Sequence, residues 1–257
     1  MCRLFGFRAG RASNVHRSLL LERNALMHQS QEHKDGWGIA FYPDGSAPTV
    51  RRGAGAAFAD ADFARVANVV SSDCVIAHVR KASVGPVRVE NSHPFQRGRW
   101  LFAHNGNVTD FARHRAELES LIPPAFREGI LGDTDSERCA ALYFAELAAR
   151  GELEDPDYPI ESAADALRAV VQAVRARCDA PDEPCSLTFL VTNGRLLVAC
   201  RLGRELHVSN HKPAADGQLN HFLLSSEKLS AEDVWELVPH GGVVGVDGRM
   251  RRYAAAL

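Results

Sequence analysis

The sequence predicts an α+β fold in which helices are layered on largely antiparallel sheets. Three observations lead there. Short β-like runs bounded by Gly, Asp or Asn fill the first and last parts of the chain, and two amphipathic helices occupy the middle. No regular β-α-β alternation appears and no Gly-x-Gly-x-x-Gly follows a strand, which disfavours a dinucleotide-binding domain.

Taken in order, Leu4 to Arg8, Gly36 to Tyr42, Cys74 to Arg80 and Trp100 to His104 read as strands, rich in β-branched or aromatic residues. Helical spacing runs from His16 to His28, with Leu19, Leu20, Leu21, Ala25 and Leu26 as its apolar positions. It recurs from Phe58 to Val70, with Phe63, Val66 and Val70 on one face. A stronger helix spans Thr134 to Arg150, opening on Thr-Asp-Ser-Glu and stopping at Gly151. A second runs from about Glu161 to Arg177, ended by Pro181 and Pro184. Ser186 to Thr192 and Arg195 to Cys200 then flank Asn193-Gly194, a two-residue hairpin signal. Phe222 to Ser225, Val234 to Val238 and Val243 to Val246 continue the strand pattern.

Composition narrows the function. The 257 residues carry 30 Lys and Arg against 32 Asp and Glu, a formal charge of −2. That balance offers no cationic surplus for a phosphate backbone, so nucleic acid is not expected as a partner. A hydrophobic fraction of 46% and a charged fraction of 24% are those of a globular chain, and residues 1–257 are expected to form a single domain. No window approaches the roughly 18 to 20 apolar residues of a membrane span, and the first residues lack a signal peptide's apolar region. Six cysteines without a Cys-x-x-Cys pair suit unpaired thiols in a reducing cytoplasm. Eleven histidines show no metal-ligand spacing, and His28 and His33 are five apart. Neither a metal nor another cofactor is expected.

Cys2 is the first residue with chemical content. A thiol attacks as the thiolate, and an ordinary cysteine with a pKa of about 8.5 holds only a few per cent of that form at neutral pH. Removal of Met1 would give Cys2 a free α-amine, placing nucleophile and base on one residue. Taken alone, Cys2 reads first as a buried apolar residue opening a strand, since a Met-Cys start carries little information. Cys74 and Cys139, in apolar runs, are inert by contrast.

Four further clusters add weight. Asp35-Gly36-Trp37-Gly38 is a turn with an aromatic anchor. Arg80 ends an apolar strand before Lys81-Ala82-Ser83-Val84-Gly85, where a guanidinium can fork onto a carboxylate. Asn91-Ser92-His93-Pro94-Phe95 precedes a strand running into His104-Asn105-Gly106-Asn107; Asn105-Gly106 is either a tight turn or an oxyanion hole. Asp133 and Asp135 cluster at a helix start, as caps or as a grip on an ammonium group.

In this order and spacing, these motifs resemble the glutaminase domain of class II, N-terminal-cysteine glutamine amidotransferases. The matching elements are Met1-Cys2, Asp35-Gly36-Trp37-Gly38, Arg80, His104-Asn105-Gly106-Asn107 and Thr134-Asp135-Ser136-Glu137. The Asp-Gly-Trp-Gly and Asn-Ser-His-Pro-Phe variants most resemble the small stand-alone YafJ-type members. The resemblance implies the N-terminal-nucleophile hydrolase fold, a four-layer αββα sandwich. It implies that Cys2 attacks the γ-carboxamide of glutamine or of a γ-glutamyl amide. Asn105 and Gly106 would hold the oxyanion, Arg80 the substrate α-carboxylate and Asp135 its α-ammonium, and a γ-glutamyl thioester would form. Ser83 would keep a hydroxyl contact, whereas Val84 stands where amidotransferases that make aminosugars have a histidine.

No synthase domain is expected to consume ammonia within these residues. Two readings stay open: a separate ammonia-accepting synthase, or a self-contained hydrolase like the γ-glutamyl hydrolases of the ergothioneine pathway. A third is a glutamine-sensing module without catalysis.

Overall fold

The computed structural model describes residues 2–45, 47–210, 219–231 and 234–257; Met1, whose removal the sequence reading requires, lies outside them. Thirteen strands among the described residues build two sheets, and all eleven pairings between neighbours are antiparallel. The first sheet contains β1 (Arg3–Asn14), β2 (Trp37–Phe41), β3 (Thr49–Gly53), β4 (Ser71–Val79), β9 (His207–Asn210), β10 (His221–Ser225) and β11 (Trp235–Leu237), in the order β11-β9-β10-β1-β4-β2-β3. The second contains β5 (Phe95–Arg97), β6 (Trp100–Asn107), β7 (Ser186–Thr192), β8 (Leu197–Arg201), β12 (Gly242–Val246) and β13 (Arg252–Ala256), in the order β13-β12-β8-β7-β6-β5.

Period-two alternation sorts each strand's side chains between two cores. Leu4, Ala40, Cys74 and Ile76 of the first sheet meet Leu101, Ala103, Leu190, Leu197 and Ala199 of the second, forming the inner layer. Phe5, Phe7, Ile39, Val75 and Ala77 face outward, against α1 (Leu26–Gln29) and α2 (Ala61–Val69). Phe102, Leu187, Phe189 and Val191 point to the opposite outside, under α3 (Phe111–Leu121), α5 (Asp135–Ala148) and α6 (Ile160–Cys178); a short α4 (Pro124–Arg127) packs on α5. Helix, sheet, sheet, helix is the four-layer sandwich of the N-terminal-nucleophile hydrolases, as the motifs implied. Each Leu, Val or Phe side chain sealed into these layers contributes about 1.5–3 kcal/mol.

Four local expectations need correction. The helix expected from His16 to His28 breaks into a π-helical turn (Arg17–Leu21) and α1, because Glu22 and Ala25 are extended. The side chain of Asn24 donates to the Lys228 carbonyl at 2.8 Å, tethering the intervening chain to the 226–229 loop. The helix at Phe58 to Val70 starts later, at Ala61, where the Asp60 carboxylate accepts the Asp62 amide and also the Trp37 indole N–H at 2.8 Å. The hairpin at Asn193-Gly194 is a four-residue loop, since Thr192 pairs with Leu197 and the Asn193 side chain accepts the amides of Arg195 and Leu196. Val234 and Val238 flank a strand of only three residues, Trp235–Leu237.

Among the described residues no helix is long and apolar enough to cross a membrane. All six cysteines are free thiols.

Candidate active site

Cys2 lies where β1 begins. Arg3 pairs with Val79, so Cys2 sits at the end of the β1–β4 ladder, beside the point where the chain leaves β4 at Arg80. Its Sγ is 3.7 Å from the Lys81 carbonyl oxygen. Alternation places Cys2 on the face of Leu4, toward the second sheet; Asn105 shares the inward face of Ala103, whereas His104 faces the helices. Cys2 is half-buried while the other five cysteines are buried. Burial raises the Cys2 thiol pKa, the nearby Arg80 guanidinium opposes that rise, and Asp135 adds to it. The same effect acts harder elsewhere: burial pushes Cys74 up to about 11 and Cys200 up to about 12. Burial also drives Cys139 far above its ordinary value, so Cys74 and Cys139 are poor nucleophiles.

Asn105 is joined to the start of β1 through a residue that carries no sequence signal. The Ser226 hydroxyl accepts the Leu4 amide at 2.9 Å and the Asn105 Nδ2–H at 3.3 Å, while the Ser226 amide donates to the Leu4 carbonyl at 3.0 Å. Ser226 is 222 residues from Leu4 and 121 from Asn105, and only the folded sheet brings the three together. Asn105 is 3% exposed, and its Oδ1 is buried with no hydrogen-bond partner. Gly106 is a steric necessity: a Cβ there would fall 1.8 Å from the Ser186 carbonyl oxygen on β7. On the outer face, the His104 ring is braced by the Ser136 hydroxyl through Nδ1 and the Ser186 carbonyl through Nε2, both at 2.9 Å.

Arg80 is buried, and its terminal nitrogens are already engaged. Nη2 donates to the carbonyls of Val84 (2.8 Å) and Gly85 (3.2 Å), and Nη1 to those of Pro86 (3.0 Å) and Asp35 (3.3 Å). The guanidinium is thus the strut of the 81–86 loop, in which Ser83 is exposed. The Asp-Gly-Trp-Gly turn fastens the same loop from the other side. The Asp35 carboxylate accepts the Ala82 amide at 2.8 Å, and the backbones of Asp35 and Gly36 pair with Arg80. Gly36 has φ +141°, and a Cβ on Gly38 would lie 1.9 Å from the His93 carbonyl. Asn91 closes the ring, donating to the Pro86 carbonyl and accepting the Asp133 amide.

Asp135 occupies the first turn of α5. One carboxylate oxygen accepts the Val108 amide at 2.8 Å, and the other accepts the Ser136 amide at 2.8 Å. It therefore ties α5 to the chain leaving β6 while remaining within electrostatic reach of Cys2 and Arg80. The expected capping box is altered. Thr134 accepts the Glu137 amide, but the Glu137 carboxylate turns to the amides of Leu131 and Gly132 instead of returning to Thr134. Cys2, Arg80, Asn105 and Asp135 thus gather at one end of the inter-sheet layer. Asp35, Asn91 and Ser226 complete the framework that sequence reasoning left unassigned. Asp35 and Asn91 stood inside motifs already noticed; Ser226 did not.

Two antiparallel sheets packed between helical layers, with Cys2 preceding the first strand, are the architecture of the N-terminal-nucleophile hydrolase class. The chain belongs to the class-II glutamine amidotransferases, whose family model matches residues 1–222. It is 31% identical over 214 residues to the gamma-glutamyl-hercynylcysteine sulfoxide hydrolase of Mycobacterium tuberculosis, covering 82% of this chain and 75% of that one. With the putative glutamine amidotransferase YafJ of Escherichia coli it shares 30% identity over 207 residues, 77% of this chain and 72% of that one. A relative from Methanocaldococcus jannaschii is 30% identical over 83% of this chain, which spans only 55% of that protein. The solved structure of a glutamine aminotransferase class-II domain protein from Silicibacter pomeroyi superposes with a TM-score of 0.70 at 20% identity, covering 100% of this chain and 99% of that one, and so shares the fold.

Proposed function

We propose that the protein, once Met1 is removed, hydrolyses the γ-amide of glutamine or of a γ-glutamyl amine through a thioester on Cys2. The observation that carries this reading is the position of Cys2. The half-buried thiol begins β1 next to Arg80, and the amide of Asn105 is tethered to the same strand through Ser226.

The chemistry follows from the residues. Cys2 Sγ attacks the γ-carbonyl carbon and its proton passes to the α-amine of the same residue. The resulting oxyanion is met by the second N–H of Asn105 Nδ2, the first being held by Ser226, together with the Gly106 amide. As the C–N bond breaks, the α-ammonium returns the proton to the departing nitrogen, which leaves as ammonia or an amine. Water then cleaves the thioester, releases glutamate and restores the thiol. Asp135 receives the substrate ammonium. Arg80 receives the α-carboxylate by exchanging the Val84 and Gly85 carbonyls on Nη2, so that binding is coupled to a movement of the 81–86 loop, and Ser83 adds a hydroxyl. The relative named for γ-glutamyl-hercynylcysteine sulfoxide hydrolysis supports a substrate whose leaving group is larger than ammonia.

We further propose that residues 1–257 act as one glutaminase domain in the cytoplasm, a compartment suited to six free thiols. A separate synthase receives ammonia only where glutamine itself is the donor. The test is glutamate release from L-glutamine and from γ-glutamyl amides, with Cys2→Ala in parallel. Turnover that survives in Cys2→Ala would end the assignment.

A further inference from the structure

The chain leaving β10 grips the strand that follows Cys2. The Ser226 amide donates to the Leu4 carbonyl at 3.0 Å, the Ser225 hydroxyl donates to the same carbonyl at 3.4 Å, and the Ser226 hydroxyl accepts the Leu4 amide at 2.9 Å. Glu227 adds an ion pair to Arg3 at 3.0 Å. Bonded to Leu4 on both sides of its own backbone, Ser226 has little freedom to move. Its hydroxyl also reaches the second sheet, where the Asn105 Nδ2–H donates to it at 3.3 Å. Much of the contact between the two inner faces is apolar, through side chains such as Leu4, Ile76, Leu101 and Ala103, and apolar contact carries no direction. The polar links from Tyr42 to the Arg99 carbonyl, 2.6 Å, and from Cys74 to Thr192, 3.2 Å, lie at the far end of that layer, where Cys74 pairs with Arg8 and Thr192 with Leu101. The Asn105 carboxamide depends on such a link. The last torsion of an asparagine side chain is broad and roughly two-fold, so packing alone leaves the amide plane loosely set. Its Oδ1 has no hydrogen-bond partner, and among the described residues Ser226 is the one partner of its Nδ2. Both residues are buried, which keeps bulk water from competing for the bond.

We propose that Ser226 is a positioning residue for the oxyanion. A single hydroxyl sets the plane of the Asn105 carboxamide and, through Leu4, the start of the strand that Cys2 precedes. The oxyanion donor and the nucleophile's strand are thereby held to one common atom before substrate arrives. By taking one Nδ2–H, Ser226 leaves the other for the developing charge. Donors fixed in advance stabilise that charge without the cost of reorienting during the reaction. The inference rests on the hydrolase reading above and adds to it a residue that acts only through Asn105 and touches neither substrate nor the reacting atoms.

The experiment measures kcat and KM for glutamate release by the full chain in a double-mutant cycle of Ser226→Ala with Asn105→Ala, using whichever of L-glutamine and a γ-glutamyl amide the wild type cleaves faster. Ser226→Ala should lower kcat about tenfold and leave KM within about twofold, since the bond it supports is made in the transition state. In the Asn105→Ala background the same substitution should change kcat by less than about twofold. Ser226→Thr, which keeps the hydroxyl, should recover most of the lost rate. An equal loss in both backgrounds would assign the effect to Leu4 and β1 and overturn the positioning role. So would a kcat for Ser226→Ala within about twofold of wild type. If Ser226→Ala does not fold, Ser226→Cys takes its place, because sulfur is a weak acceptor; an undiminished kcat there overturns the proposal equally. Active wild type with an unaffected Ser226 variant leaves the hydrolase reading standing. Wild-type protein that releases glutamate from neither substrate refutes that reading, and the positioning role with it.

Discussion

Replacing Asn105 by Ala separates catalysis from stability. In the resting protein the side chain makes one long hydrogen bond, 3.3 Å to Ser226, and buries an Oδ1 with no partner. Truncation loses that bond, about 1 kcal/mol, but also removes an unsatisfied acceptor costing about 1–3 kcal/mol. Ser226 retains the Leu4 amide, so β1 stays anchored. The small void left behind adds cost of the same order, and the sum should fall within about 2 kcal/mol of wild type. Catalysis should suffer far more. Loss of an oxyanion donor costs roughly 2.7–4 kcal/mol, or about 10²–10³ in kcat, with KM little changed because the interaction is made in the transition state. The assay is glutamate release under saturating substrate, paired with urea denaturation of the same preparation. A kcat within about threefold of wild type in a folded Asn105→Ala protein would remove Asn105 from the oxyanion hole.

Three further outcomes follow from the same structure. Gly106→Ala should break the β6–β7 ladder, since its Cβ would overlap the Ser186 carbonyl; a variant that folds with the wild-type melting temperature would contradict that. His78 is wholly buried, its ring packed at a tilt of 38° against that of His93 with centroids 4.1 Å apart, and burial lowers its pKa to about 3. The unfolded chain, whose histidines titrate near 6.5, therefore binds the extra proton, and stability falls as pH drops from about 6.5 toward 3. His78→Phe should flatten that slope by up to about 1.4 kcal/mol per pH unit, measured by denaturation between pH 6 and 4; an unchanged slope would mean that His78 charges in the folded state. Asp135→Asn should lower the Cys2 pKa, because the carboxylate raises it, and so move the pH profile of Cys2 alkylation toward acid; a profile that stays put would place Asp135 too far from the thiol.

Much of the sandwich was legible because its inner strands are apolar on both faces or alternate cleanly. The Cys74 to Arg80 run reads as a strand because every residue from Cys74 to Val79 is buried. The edges were not legible. β3, Thr49–Gly53, is partly exposed along its length, and β13, Arg252–Ala256, shows only an exposed-intermediate alternation. α3 escaped notice because Phe111 and Leu118 are its only buried residues, too few for a 3.6-residue stripe. Cys2, Arg80, Asn105 and Asp135 are candidates from the sequence because each stands in a short motif with its own chemistry. Their connections cannot be read there. The Ser226 bridge depends on β10 pairing with β1, a contact across more than two hundred residues that no local pattern encodes. The engagement of Arg80 by four loop carbonyls is equally invisible, because backbone acceptors have no sequence identity.

Intact-mass spectrometry on protein quenched in acid during turnover tests the mechanism most directly. The expected species lacks Met1 and carries one γ-glutamyl group, which peptide mapping locates on Cys2. An acyl group on any other cysteine, or undiminished turnover by a chain that keeps Met1, would contradict the proposal that Cys2 supplies both the attacking sulfur and the base.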